Sequence, residues 1–168
     1  MDCIVNVTEG WAIGNGGALQ ITIREDMRRF RALTAGKTLV LGRKTLSTFP
    51  GGKPLPHRRN LILSRSLDAV EGAECVSSLE ELFALLRRCP QEEVMVIGGA
   101  SVYRALLPWC RRAYVTKTQE RLPADAWFPD LDADPNWVVE EAGEEQWENG
   151  VCYRFFTYRN LCPRAMDD

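Results

Sequence analysis

Five short aliphatic runs, "CIVNV", "TLVLG", "NLILS", "EVMVIGG" and "AYVTKT", constrain this chain more than any other feature. They are rich in Val, Ile and Leu and mostly lack the alternation of a half-exposed strand, so they suit strands buried on both faces. Between them stand the helical patterns "TIREDMRRFRAL", "RKTLSTF", "SLEELFALLRR" and "ASVYRALL". Strands separated by crossover helices predict an α/β fold with a mainly parallel central sheet. Two later segments, "NWVVEEA" and "VCYRFFTYR", flank "EQWENG", whose Asn149 and Gly150 signal a tight turn. The sheet should therefore end in an antiparallel C-terminal hairpin.

No repeat or low-complexity tract divides the 168 residues, and "GNGG", "FPGGKPLP" and "LPADAWFPDLDADP" are loop-length. A single domain over residues 1–159 is expected, followed by a loose tail over 160–168, where "LCPRAMDD" shows no periodicity. Net charge is −2 with dispersed basic residues, which disfavours nucleic-acid and membrane-surface binding. The N-terminal "MDCIVNV" is too short for a signal core and no run reaches membrane-span length, so a cytoplasmic protein is expected. Six scattered cysteines without a C-x-x-C pair read as reduced structural thiols. His57 is the sole histidine, which argues against zinc or histidine-dependent nucleophilic chemistry, and no metal is expected.

One acid is out of place. In "TIREDMRRFRAL" the apolar face runs through Ile23, Met27, Phe30 and Leu33, and Asp26 borders it. Thr22 and Glu25 form a capping-box pattern that already satisfies the helix start, leaving Asp26 either a first-turn complement to the helix dipole or a functional carboxylate.

Two strand ends run into helices through glycine. "VLGRKT" places Gly42 before Arg43, Lys44 and Thr45, and "VIGGAS" places Gly98 and Gly99 before Ala100 and Ser101. Such turns admit an anion to free backbone amides, and two of them could hold the two phosphates of a dinucleotide. Either turn alone reads equally as a plain tight turn, since neither is a full dinucleotide or P-loop motif. Arg43, Lys44 and Arg65 suit an adenosine 2′-phosphate, hence NADPH rather than NADH. In "PLPHRRN", one of Arg58 and Arg59 could fork onto a substrate carboxylate while the other faces water.

Taken in order and spacing, "WAIGNGGAL", "REDMRRFRALT", "VLGRKT", "GGKPLPHRRNLILSR", "VMVIGGASVYRALLP", "AYVTK" and "DAWFPD" resemble bacterial dihydrofolate reductase over about residues 2–159. The resemblance implies NADPH-dependent reduction of dihydrofolate to tetrahydrofolate, in one-carbon metabolism, by a monomer whose partner is that small substrate. Asp26 would accept a forked pair of hydrogen bonds from the pterin amino group and ring N–H, with Thr116 bonding the acid and the substrate. Ile4, Asn6, Met27, Phe30, Thr48, Phe49, Leu55, Ile97 and Tyr103 would wall the folate site, and Arg58 would pair with the substrate's glutamate carboxylate. Ile13, Gly14 and Leu19 would meet nicotinamide and ribose, Gly98, Gly99, Ala100, Ser101 and Val102 the pyrophosphate, and Gly42, Arg43, Lys44, Thr45, Ser64 and Arg65 the adenosine end. "GNGGALQITI" would be the loop that closes over the nicotinamide. The chain departs from the family pattern at Asn6, usually a small alanine, and at Gln20 and Ile21, where a bulky or aromatic residue is usual. A polar amide at Asn6 and the lost bulk at Gln20 and Ile21 lead to the expectation that trimethoprim binds less well than to typical bacterial relatives. A related NADPH-dependent pterin or pyrimidine reductase, and a catalytically silent nucleotide-binding paralogue, are the alternatives.

Overall fold

A computed structural model describes residues 1–16, 18–19, 21–66 and 69–166, with the side chains of 18 and 19 excepted. Gln20 and the Leu19 side chain lie outside that description. The aliphatic runs become β1 (Asp2–Val7), β4 (Thr38–Gly42), β5 (Arg59–Leu63), β7 (Val94–Gly98) and β8 (Arg112–Thr118). With β6 (Glu74–Val76) they form a parallel block in the order β6-β5-β4-β7-β1-β8. β12 (Val151–Asn160) adds antiparallel to β8, and β10 (Trp137–Ala142) and β11 (Gln146–Glu148) both pair antiparallel with β12. The observed fold is thus α/β with a mostly parallel sheet and antiparallel C-terminal strands.

Side-chain alternation divides the core. Cys3, Val5, Val7, Val40, Val94, Val96, Ala113 and Val115 face one cluster. Their neighbours Ile4, Leu39, Leu41, Met95 and Ile97 face the other, against Phe30 and Leu33 of α1 (Arg24–Thr34). Both faces are covered, which explains strands without polar alternation. The remaining helices are α2 (Arg43–Ser47), α3 (Leu79–Leu86) and α4 (Ala100–Leu106).

Four expectations are corrected or refined. The Thr22/Glu25 capping box does not form: α1 begins after Ile23 with no side-chain cap of its own, and Glu25 pairs with Arg28. Instead the Arg24 amide donates to Glu148 of β11 at 2.9 and 3.2 Å, so a residue far along the chain caps this helix. The local capping interaction occurs at α3, where Ser78 Oγ accepts from the Glu81 amide at 3.1 Å and the Glu81 carboxylate accepts from the Ser77 amide at 3.2 Å. Second, the Asn149–Gly150 turn, with φ of 49° and 77°, closes the expected antiparallel hairpin between β11 and β12, and β10 is a separate strand that pairs with β12.

Third, the glycine-rich segment after β1 is not a plain loop. β2 (Ala12–Asn15) and β3 (Ala18–Leu19) form a hairpin, and β2 also pairs with β9 (Ala126–Trp127) in a small second sheet. The Gly16 amide donates to Asp125 at 2.9 Å. Fourth, the expected loose tail is held through residue 166: Met166 is buried in the larger core cluster while its carbonyl accepts from Arg87 Nε at 3.2 Å, and residues 167 and 168 lie outside the description. The Arg164 amide also donates to the Pro108 carbonyl at 2.9 Å. A sequence without periodicity gave no sign of this single apolar anchor.

The two capping patterns can be separated by mutation. Ser78→Ala should lower unfolding free energy by about 1 kcal/mol through the lost cap. Thr22→Ala, with no cap to lose, should change it by less than about 0.5 kcal/mol. Chemical denaturation of both variants checks this, and equal losses would contradict the assignment of caps.

Candidate active site

β1 and β8 are parallel neighbours in a register that sets Asn6 directly beside Thr116. Both side chains, with Thr118 two positions on, project to the face that carries α1. Asp26, in the first turn of α1, meets them there. Thr116 Oγ1 donates to Asp26 Oδ1 at 2.5 Å and Asn6 Nδ2 donates to Asp26 Oδ2 at 3.1 Å. Thr118 Oγ1 in turn donates to Asn6 Oδ1 at 2.8 Å. The acid flagged in the sequence is half-buried and bonded to two strands, which favours a role beyond complementing the helix dipole.

Burial pushes the Asp26 carboxyl above the ordinary carboxylate value, because desolvation penalises the anion. The bonds from Thr116 and Asn6, then the charge of Arg29, oppose that shift. Arg29 lies three residues along α1, with its guanidinium carbon 4.5 Å from the Phe155 ring centroid and 5.7 Å from that of Tyr114. Its Nη1 is buried without a hydrogen-bond partner among the described residues. The sequence reading missed Arg29 and Thr118. Arg29 was recoverable from its i,i+3 spacing to Asp26, and Thr118 from the same-face spacing in "TKT".

The apolar wall is largely one cluster: Ile4 and Ile97 are buried, and Phe30, Phe49 and Leu55 pack against them. Met27 is 39% exposed, so the face predicted to be buried is open at that point. Thr48 is half-buried and donates to the Thr45 carbonyl at 2.7 Å. Tyr103 packs in the opposite cluster, with its hydroxyl donating to the Ile4 carbonyl at 2.6 Å. Asn6 carries two partners, so its amide is not unpaired. The desolvation argument from Asn6 for weaker trimethoprim binding therefore loses its premise.

The two glycine turns are brought together, since β4 and β7 are neighbours. A Cβ added at Gly42 would stand 3.3 Å from Val102 and 3.8 Å from the Gly99 nitrogen. At Gly98, where φ is 129°, it would stand 2.9 Å from Thr45 Oγ1. Side chains are therefore excluded from a backbone cradle made by both turns, and neither following helix has a side-chain cap on its first amides. The Gly98–Gly99 peptide is cis. Arg43, Lys44, Ser101 and Arg65 are exposed beside this cradle or at the end of β5, and Ala100 is half-buried. Ser64 is buried and its amide donates to the Val76 carbonyl at 3.0 Å. Ile13 and Gly14 lie half-buried in β2.

The two loop arginines have separated roles. Arg59 forks onto Glu74 at 2.5 and 2.8 Å. Arg58 forms no such pair among the described residues; its Nη1 reaches only the Pro56 carbonyl at 3.5 Å, and its buried Nε has no partner among them.

A sequence model described as dihydrofolate reductase matches residues 1–160. The chain belongs to the dihydrofolate reductase family. It is 37% identical over 157 residues to the dihydrofolate reductase of Neisseria gonorrhoeae, covering 92% of this chain and 94% of that protein. Over 151 residues it is 39% identical to the Mycobacterium tuberculosis enzyme of that name, covering 87% and 89%. The Bacillus subtilis dihydrofolate reductase is 34% identical over 149 residues, covering 87% and 86%. The matched range spans every strand and helix described above, from β1 to β12.

The raised carboxyl gives this family member a pH signature. Because Asp26 titrates higher folded than unfolded, its neutral form favours folding below about pH 3.9, and that contribution is lost as pH rises through the folded-state value. Asp26→Asn removes this titration. The variant's melting temperature relative to the parent should therefore rise between about pH 4 and pH 7. Calorimetry across that range checks it; a constant or falling difference would show that the carboxyl is not raised.

Proposed function

We infer that the chain reduces 7,8-dihydrofolate to tetrahydrofolate with NADPH. The observation that carries this reading is the half-buried Asp26 carboxylate, bonded to Thr116 beside an apolar wall. Its free lone pairs suit the two parallel N–H donors of a pterin's amino group and adjacent ring nitrogen. Ile4, Phe30, Phe49, Leu55 and Ile97 then contact the ring system, with Met27 and Thr48 at the rim.

The cofactor reading is supported by the backbone cradle at Gly42, Gly98 and Gly99, which a Cβ would fill. When bound, NADPH supplies the hydride to the carbon of the pterin imine. Gly98 to Val102 would hold its pyrophosphate, and Arg43, Lys44, Thr45, Ser64 and Arg65 its adenosine phosphate. Ile13, Gly14 and Leu19 would face the nicotinamide, where the hairpin β2–β3 limits water access. Asp26 fixes the pterin and biases the electrostatics for the proton that must reach the imine nitrogen. Arg58 takes the glutamate carboxylate, a role that Arg59 cannot share while forked onto Glu74. A reductase of another pterin or a pyrimidine would leave Arg58 without a carboxylate to bind. The absence of pterin turnover with NADPH still bound would instead indicate a silent nucleotide-binding protein.

The deciding experiment follows NADPH oxidation with dihydrofolate as substrate. Asp26→Asn should lower turnover at neutral pH roughly 10²-fold or more while nucleotide affinity is retained. Unchanged turnover with NADPH binding lost would refute the assignment. NADPH should be preferred over NADH by one to several orders of magnitude in affinity, from two charge-assisted contacts of about 1.5 to 3 kcal/mol each. Equal use of the two nucleotides would contradict that. Arg58→Ala should raise the dihydrofolate KM about tenfold or more, and Arg59→Ala should not. The opposite pattern would exchange the roles of the two arginines.

A further inference from the structure

We propose that Asn6 and Thr118 act as a positioning pair that holds the Asp26 carboxylate in its anionic form and fixes its orientation. The geometry supplies the direction of the relay. Thr118 is buried, and its hydroxyl donates to Asn6 Oδ1 at 2.8 Å. That bond occupies the amide's acceptor end. Asn6 Nδ2 is thereby turned toward Asp26 Oδ2, to which it donates at 3.1 Å. An amide N–H is only a donor, so this contact favours the carboxylate over the neutral acid. Asn6 is thus a positioning residue, with Thr118 acting through it.

Other groups near Asp26 do not duplicate this function. Thr116 of β8 occupies the other carboxylate oxygen. Arg29, on the same helix, contributes favourable charge and also faces Glu141 of β10 and Tyr114 of β8. Tyr103 of α4 and Tyr153 of β12 feel the Asp26 charge, and burial raises both phenols, so neither ionises where a carboxyl titrates. Tyr153 also faces Glu25 and Glu148. Asn6 and Thr118 are therefore a neutral pair whose removal leaves every charge around Asp26 in place.

The test uses the full chain labelled with carbon-13 at its aspartate carboxyls, the Asp26 signal being identified by its loss in Asp26→Asn. Asn6→Ala should raise the Asp26 midpoint by about one unit or more. Thr118→Val should raise it less, Thr118→Ser should restore the parent value, and Asn6→Ala with Thr118→Val should match Asn6→Ala alone. The kinetic measurement rests on the reductase reading above. The free-enzyme midpoint in kcat/KM with dihydrofolate should move by the same amount in each variant, because that parameter reports ionisations before substrate binds. A merely structural role would scale the rate at all pH values and leave the midpoint fixed. An unchanged carbon-13 midpoint in Thr118→Val, or an additive double variant, would overturn the proposal. Absence of dihydrofolate turnover in the parent would overturn the reductase reading and leave the carbon-13 result standing.

Discussion

The Asp26 site depends on taking one carboxylate partly out of water. An unpaired anion there would protonate or keep its helix in solvent, so the site exists only because donors are waiting for it. They come from strands, not from the helix that carries the acid. The β1–β8 register places Asn6 beside Thr116, and alternation puts Thr118 on the same face. Burial of Ile23 and the Glu148 cap then fix the start of α1 one turn from Asp26. A slip of one residue in either strand would send the donors to the opposite core face. Sheet register and acid chemistry are consequently one constraint.

The parallel block extends that constraint along one edge of the sheet. Carboxyl ends of parallel strands open onto one side of a sheet, where ligands of α/β proteins bind. Here the order β8-β1-β7-β4-β5 sets out the acid and its partners first, the paired glycine turns next, and Ser64 with Arg65 beyond. Three strand spacings, about 14 Å, separate β1 from β5. That span accommodates the linear arrangement that the proposed function requires. The antiparallel C-terminal strands serve the same edge indirectly, since β12 brings Phe155 against Arg29 and its hairpin partner β11 carries Glu148.

Features with a local cause were legible in the sequence. Non-alternating aliphatic runs specified strands covered on both faces, and the glycines at strand ends marked the turns that the structure places side by side. Asp26 was conspicuous because helical spacing alone sets it beside an apolar stripe. Features caused by distant partners were hidden. The Thr22/Glu25 pattern resembles a capping box, but Glu148 supplies the cap. Arg58 and Arg59 are equivalent until β5 pairs with β6 and gives Arg59 the Glu74 carboxylate. The pairing of β2 with β9 joins segments more than a hundred residues apart, and Met166 anchors the chain end by one side chain that has no periodicity around it.

The same distinction explains why Asn6 misleads when considered alone. An amide beside a half-buried acid looks like a polar intrusion with a desolvation cost. Thr118 removes that cost by satisfying the carbonyl end, and Asp26 removes it at the other. The two residues then depend on each other. Asn6→Ala with Thr118 retained would leave a buried hydroxyl without the acceptor it has here, while an apolar residue at 118 with Asn6 retained would leave an amide oxygen seeking water beside the acid. Neither intermediate is as well paired as the combination present. Thr118, Asn6 and Asp26 are therefore one hydrogen-bonded row, in which each polar end is satisfied by the next residue.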